Sequence, residues 1–215
     1  MRIMTTFLSF LLLAGCIDTK AREQHDSINI PWDKWYFSFT TPKALPAQVT
    51  LVKLLDIDGY GYVFQTIDQP QGNSVGSWGA RVGVGITTFN QAKAPPQMIA
   101  FCWDSIIDKK VYETTLFFSP DTQKKMISSE PQWNSPEEPY YFRNMVIGLA
   151  PEGKVRVWLK NNGKANIEQT STKITTVSGN DLDMCKGVTK HPDGYVYYGD
   201  TPEFIKDKKY PYGSW

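Results

Sequence analysis

Short segments rich in Val, Ile, Thr and aromatic residues recur along this chain of 215 residues, and turn residues separate them. Such residues favour β-strands, whereas Gly, Pro, Asn and Asp favour tight turns. The pattern therefore predicts a mainly β (β-rich α+β) fold of antiparallel sheets or a sandwich, with one or two short helices. The predicted strands are Tyr36–Thr40, Val49–Leu55, Gly61–Ile67, Arg81–Thr88, Gln97–Trp103, Val111–Phe118, Asn144–Leu149, Lys154–Leu159 and Lys173–Val177.

Two segments have the pattern of a helix start. A serine N-cap at Ser119, followed by proline and an acidic residue, predicts a helix over Thr122–Ser128. A similar arrangement at 201–203 predicts a second helix over Phe204–Lys208. The stretch Ser129–Pro139 contains three prolines and is predicted to be a long surface loop.

The N-terminus has the pattern of a bacterial export signal. Arg2 precedes an apolar run that ends in Leu13-Ala14-Gly15-Cys16, and this run is too short to span a bilayer, which takes about 20 residues. The last four residues resemble the bacterial lipobox. The resemblance implies that residues 1–15 are a signal peptide and that Cys16 carries diacylglycerol and an N-acyl chain such as palmitate. The alternative is an ordinary secretory signal, or a cysteine that is there by chance.

The residue after the cysteine bears on where such a lipoprotein is sorted. In the Gram-negative pattern that the sequence resembles, aspartate at this position retains a lipoprotein in the inner membrane, and here the residue is Ile17. We therefore expect lipid anchoring to the outer membrane on its periplasmic face, since several acyl chains bind a bilayer firmly. Residues 16–33 are predicted to form the lipidated N-terminus and a polar tether, and residues 34–215 a single β-rich periplasmic domain.

Charge and residue inventory argue against two kinds of ligand. The chain has 23 Lys and Arg against 22 Asp and Glu, so no basic surface attracts nucleic acid. With two histidines and three cysteines, few residues are available for a metal site, and we expect no metal and no cofactor besides the acyl chains. Asp56-Ile57-Asp58-Gly59 resembles the start of a calcium loop, but Ile67 occupies the twelfth position, so a hairpin turn is favoured.

Export leaves two readings open for Cys102 and Cys185. An oxidising periplasm would permit one disulfide between them. Alternatively, Cys102 lies in an apolar run and would be a buried free thiol.

One segment matches a hydrolase motif. Ser74 lies in a Gly-x-Ser-x-Gly pattern, but that nucleophile needs a preceding strand and a following helix. Here a loop pattern precedes the serine and a strand pattern follows it, and the one histidine of the predicted domain, His191, lies in a turn sequence. A loop serine is favoured, and the chain is predicted not to be an enzyme.

Aromatic residues cluster outside the clear strands. Large, stiff Tyr and Trp side chains are enriched at binding hot spots, although aromatics beside prolines also close over cores. The residues predicted to contact a partner are Trp133, Tyr140, Tyr141 and Phe142, and the tail Tyr210–Trp215 forms a second aromatic group.

Several stretches together resemble a family of bacterial lipoproteins known as domain of unknown function number twenty-nine thirty-one. They are the lipobox, the segment around Phe101-Cys102-Trp103, the run Ile147–Leu159 and the closing Tyr210–Trp215. Some family members are encoded beside lipase effectors of type VI secretion systems. By that association, the resemblance implies a periplasmic immunity protein whose partner is a toxic lipase.

The leading hypothesis from the sequence is therefore a non-enzymatic, membrane-anchored lipoprotein that binds and neutralises a lipase effector. The alternative is an envelope maintenance lipoprotein that binds a lipid or cell-wall ligand or scaffolds an envelope complex. A hydrolase that uses Ser74 is a third and weaker hypothesis.

Overall fold

The computed structural model describes residues 29–42, 45–68, 90–189 and 206–207. Within these residues the chain is dominated by strands, with one α-helix, α1, and one turn of 3-10 helix over Gly179–Asp181. The helix α1 spans Pro120–Ile127. The strands are β1 (Trp35–Thr40), β2 (Ala47–Asp56), β3 (Gly61–Asp68), β4 (Gln91–Ala92), β5 (Pro96–Ser105), β6 (Lys110–Phe117), β7 (Ser129–Gln132), β8 (Ser135–Tyr141), β9 (Asn144–Ala150), β10 (Lys154–Leu159), β11 (Ile167–Glu168) and β12 (Lys173–Ser178).

The strands form two five-stranded sheets and a separate hairpin. The first sheet has the order β11-β10-β9-β1-β4, the second has the order β12-β6-β5-β2-β3, and β7 pairs only with β8 among the described residues. Neighbouring strands are antiparallel except for β1 and β9, which pair in parallel with Phe39 opposite Ile147.

A single aromatic-rich core joins the two sheets. Phe39 of β1 contacts Phe101 of β5 with a ring separation of 5.2 Å, and Phe37 contacts Phe64 of β3 at 5.3 Å. These edge-to-face contacts link the facing surfaces of the two sheets. The molecule is therefore a β-sandwich, which confirms the fold class predicted from the sequence.

The strand pattern of the sequence is confirmed wherever the described residues test it. Each predicted strand in these ranges is present, with boundaries that differ by at most two residues. The first predicted helix is also present as α1, and the Ser119 hydroxyl accepts a hydrogen bond from the Thr122 amide at the helix start. The predicted strand Arg81–Thr88 and the predicted helix Phe204–Lys208 lie outside the described residues or almost entirely so.

One prediction is wrong: residues 129–139 do not form a loop. They form the antiparallel hairpin of β7 and β8, with Trp133 and Asn134 at its tip. The prolines are compatible with pairing because Pro131 lies directly opposite Pro139. Neither proline has an amide hydrogen to donate. In a two-stranded ribbon, half of the backbone amides face away from the partner strand, and proline is tolerated at those positions.

No helix in the described ranges is long and apolar enough to cross a membrane.

Candidate functional site

The tip of the β7–β8 hairpin is held against the turn that follows β10. The side-chain amide of Asn162 donates a hydrogen bond of 2.9 Å to the carbonyl oxygen of Pro131. The backbone amide of Asn162 in turn donates a hydrogen bond of 2.8 Å to Oδ1 of Asn161, which fixes the turn itself. The hairpin therefore has a fixed position relative to the first sheet, although it belongs to neither sheet.

Trp133 lies at this tip and presents most of its indole to solvent. Its side chain is 71% exposed, whereas the other described tryptophans, Trp32, Trp35, Trp103 and Trp158, are at most 8% exposed. Gly163 lies against the inner part of the ring. A Cβ at residue 163 would be only 3.0 Å from Cδ1 of Trp133, so the indole packs directly on the glycine backbone. Gly163 also has a φ of +66°, which favours glycine for a second reason.

The base of the hairpin is fixed by two half-buried tyrosines. The Tyr140 hydroxyl donates a hydrogen bond of 2.7 Å to the carbonyl oxygen of Lys160. Burial raises the pKa of Tyr140, so this hydroxyl keeps its proton at neutral pH. Tyr141 packs edge-to-face on Trp32 at a ring separation of 5.9 Å.

Phe142 has a different environment from the other three residues of the predicted cluster. It is fully buried, in edge-to-face contact with Tyr140 at 5.4 Å, and the Lys125 ammonium lies 4.0 Å from its ring centroid. A side chain in this position packs in the core and cannot contact a partner at the surface. The structure thus leaves Trp133 as the exposed member, with Tyr140 and Tyr141 partly accessible.

Among the described residues, charged side chains form an ion pair at the base of the hairpin but not near its tip. At the base, Lys125 forms an ion pair of 2.7 Å with Glu130, and this contact lowers the pKa of Glu130. Nearer the tip, the pairing moves from Pro131–Pro139 to Gln132–Ser135, so residues 136–138 have no opposite residue on β7. Glu137 and Glu138 lie in this bulge, are exposed, and form no ion pair in the described part of the chain. Two exposed carboxylates without an ion pair therefore lie on the same hairpin as the exposed tryptophan.

Cys102 and Cys185 form a disulfide, with their Cα atoms 5.5 Å apart. Of the two readings that the sequence left open for these cysteines, the structure contains the disulfide. It attaches the segment after β12 to the outer face of the second sheet, where the cystine packs with Leu51 and Val111. The carboxylate of Glu113 accepts hydrogen bonds from the amides of Asp183 and Cys185 and reinforces the attachment.

Asp104 is a buried acidic residue on this same face that the sequence analysis did not identify. Its side chain is fully buried, and burial raises its pKa to about 7. The nearby Thr189 hydroxyl acts in the opposite direction and lowers the pKa. Neither carboxyl oxygen of Asp104 accepts a well-formed hydrogen bond from the described residues. Gln48, directly opposite on β2, also has a buried side-chain oxygen without a described partner. The apolar run that ends at Asp104 could have indicated its burial. A strand that is apolar along its length is buried on both faces, and its polar residues are then buried too.

Asp56 folds the calcium-like sequence into a tight turn. One of its carboxyl oxygens accepts hydrogen bonds from the amides of Asp58 and Tyr60, and the other accepts one from the Tyr62 hydroxyl. The favoured interpretation of this sequence as a hairpin turn is confirmed. In the described ranges no three His, Cys, Asp or Glu side chains come close enough together to hold a metal ion.

Several residues singled out from the sequence lie outside the described residues. They are Cys16, Ser74, His191 and the aromatic tail Tyr210–Trp215.

The fold and this site define the class of the protein: a disulfide-bonded β-sandwich with a hairpin fixed against its first sheet. Of the tryptophans that the structure describes, only the one at the hairpin tip is exposed. The model of the family described as protein of unknown function (DUF2931) matches residues 18–213 of the chain. The chain therefore belongs to this family, as its sequence resemblance predicted. Searches of the curated proteins and of the solved structures found no significant match.

Proposed function

We propose that the protein is a non-enzymatic, lipid-anchored periplasmic lipoprotein that binds and neutralises a lipase effector of a type VI secretion system. The observation that carries the binding role is the exposed indole of Trp133 at the tip of the braced hairpin. Leaving an indole in water forgoes much of the free energy that its burial would provide, about 25 cal/mol per Å² of apolar surface. A partner that covers this ring would recover that free energy.

The bracing of the hairpin supports the same role. An anchor residue binds best when it is already held in its bound position, because less conformational entropy is then lost on association. The Asn162 hydrogen bond to Pro131 and the contact between Gly163 and the indole supply this preorganisation. Tryptophan is also among the residues most enriched at binding hot spots.

The acidic bulge suggests the chemistry of the partner surface. Glu137 and Glu138 lie on the same hairpin as Trp133 and form no ion pair within the described residues. Complementary charge accelerates association and orients the partners. We expect the partner to offer an apolar pocket for the indole with Lys or Arg side chains at its rim.

Two features support the periplasmic location. The lipobox-like sequence at Leu13–Cys16 would anchor the mature chain to the outer membrane through acyl chains on Cys16. Disulfides persist in oxidising compartments such as the periplasm, and the Cys102–Cys185 bond fits that environment. The identity of the partner as a lipase follows from the family resemblance and its association with lipase effector genes.

The test is an affinity pull-down with the full chain, tagged and held in detergent micelles, from lysate of the source strain with its secretion systems induced. We expect recovery of a lipase in stoichiometric amount with its activity suppressed. Trp133→Ala should weaken this binding by at least about tenfold. Tyr60→Ala is the matched control, because Tyr60 is 63% exposed and lies on the β2–β3 turn, outside the hairpin.

Two outcomes would contradict the proposal. Recovery of lipid or envelope proteins without a lipase would favour the alternative role in envelope maintenance. Equal binding of a lipase by the Trp133→Ala variant and the unaltered chain would reject the hairpin as the contact surface.

A further inference from the structure

An open groove lies at the end of the sandwich opposite the hairpin tip. It is formed where the β5–β6 turn, the β9–β10 turn and β12 meet, and its volume is about 520 Å³. Lys154 at the start of β10 lines the groove, whereas the turn that holds Trp133 follows the far end of the same strand. A strand of this length covers about 20 Å, so the two surfaces are separate.

Interlocking contacts fix the wall of the groove. The Tyr112 ring stacks on the buried indole of Trp103 at a centroid separation of 4.7 Å. Its hydroxyl donates a hydrogen bond of 3.1 Å to Oδ2 of Asp108, and the Glu152 amide donates one of 2.7 Å to the same oxygen. Burial raises the pKa of Tyr112, so its hydroxyl remains a donor at neutral pH. The two turns are thus joined through one carboxylate.

The backbone of the β9–β10 turn is adapted to this wall. Glu152 and Gly153 have φ values of +66° and +71°, and left-handed conformations are uncommon for residues other than glycine. A Cβ on Gly153 would lie 2.9 Å from Cε1 of Tyr112, so only glycine allows the ring and the turn to approach this closely. The turn brings the Glu152 and Lys154 side chains to the mouth of the groove.

Opposite charges line the groove without neutralising one another. The Asp108 carboxylate has Oδ1 free of any described hydrogen bond, and Glu152 lies beside it. The ammonium groups of Lys110 and Lys154 line the same space and are exposed. The ion pairs found among the described residues involve other side chains, so these four charges remain available to a ligand.

We propose that this groove binds a small zwitterion, namely an amino acid or short peptide with free ends. The ligand ammonium would lie against Asp108 Oδ1 and Glu152, and its carboxylate against Lys110 and Lys154. The volume suits a short peptide, since ligand sites commonly measure about 300–1,000 Å³. The uncharged polar groups of Tyr112 and Ser178 would serve the peptide backbone between the two ends.

The test is a titration of the full chain, in detergent micelles, with the dipeptide alanyl-alanine, followed by amide NMR shifts or calorimetry. We expect saturable binding, with shifts centred on residues 108–112, 152–154 and 176–178. N-acetylated and C-amidated forms of the same dipeptide should each bind at least about tenfold more weakly, because each lacks one charge. The absence of saturation by the free dipeptide, or equal binding of the blocked forms, would overturn the proposal.

Two variants test which side chain of the groove binds which end of the ligand. In Glu152→Gln, the advantage of the free amine over the acetylated form should shrink, and in Lys154→Gln the advantage of the free carboxylate over the amide should shrink. Both side chains are exposed, so folding should be unaffected. Glu138→Gln and Lys124→Gln are the matched controls, being exposed residues outside the groove. Equal effects from the controls and the groove variants would reject the assignment.

Discussion

Aromatic residues that are close together in the sequence can have different roles, depending on whether each is buried or exposed. Trp133 and Phe142 belong to one predicted cluster, yet Phe142 is fully buried and Trp133 is 71% exposed. We expect Phe142→Ala to lower the free energy of unfolding by about 3–5 kcal/mol, since it leaves a cavity and removes the ring under the Lys125 ammonium. Trp133→Ala should change it by less than about 1 kcal/mol. Chemical denaturation of both variants measures the difference, and equal losses would contradict the assigned positions.

Asp104 makes stability depend on pH. The folded pKa of Asp104, about 7, lies above the ordinary aspartate value of 3.8, so between these pH values the folded state holds a proton that the unfolded state releases. The contribution of Asp104 to stability is therefore greatest below about pH 4, falls as pH rises to about 7, and is constant above that. Over this range the fall should be up to about 4 kcal/mol, at about 1.4 kcal/mol for each pKa unit.

Asp104→Asn should abolish this fall, because an amide does not titrate. Denaturant unfolding of both forms at pH 4, 6 and 8 measures it, with Glu138→Gln as a control that removes an exposed carboxylate. If the unaltered chain and Asp104→Asn showed parallel pH profiles, the raised pKa of Asp104 would be refuted.

The hairpin tip can be altered through its support without removing the tryptophan. In Gly163→Ala, the new methyl group would meet the indole at 3.0 Å, so the ring should be displaced. Because φ is also positive here, the variant carries backbone strain of about 1 kcal/mol. Gly179→Ala is matched for that strain, with a φ of +65°, but its methyl group would enter open space.

We therefore expect both glycine variants to lose similar stability, while only Gly163→Ala shifts the indole N–H resonance of Trp133 and weakens partner binding. An unmoved resonance in Gly163→Ala would show that the indole does not rest on the glycine.

How far the elements could be predicted depends on the length of their pattern. Long segments such as β2 and β5 were predictable for different reasons. Much of β2 alternates between apolar and polar residues, whereas β5 contains a continuous apolar run of the kind found in strands buried on both faces. The two-residue strands β4 and β11 are too short to carry any period, and they exist only because a longer neighbour pairs with them. The prolines of β7 and β8 have low strand propensity, so the sequence predicted a loop there. The strands form because Pro131 lies opposite Pro139 across the ribbon.

The same reasoning explains what was predictable at the sites. Trp133 was identifiable by its type and its position among prolines, but its exposure depends on the turn at Gly163, which is distant in sequence. The groove at Asp108 could not be anticipated, because it combines turns from both sheets with β12. Such sites depend on how the sheets pack, and local patterns carry no signal for that packing.

At the scale of the whole molecule, the disulfide closes a long loop. Cys102 and Cys185 are 83 residues apart in sequence, and the bond ties the segment after β12 to the centre of the second sheet. Cross-linking such a separation restricts the unfolded chain and is worth about 4–5 kcal/mol in the chain-entropy model, with observed losses on removal of about 2–5 kcal/mol. This sandwich should therefore depend on an oxidising compartment for full stability.

The cleanest comparison is the same chain oxidised and reduced, since substitution of two buried cysteines would also leave cavities. Thermal unfolding should occur at a temperature lower by about 10 °C in the reduced chain, given about 2–4 °C per kcal/mol for a protein of this size. Limited proteolysis should then cut first between residues 179 and 189, because the disulfide and Glu113 hold this segment on the sheet. Equal melting temperatures, or first cleavage elsewhere in the described residues, would mean that packing alone retains the segment.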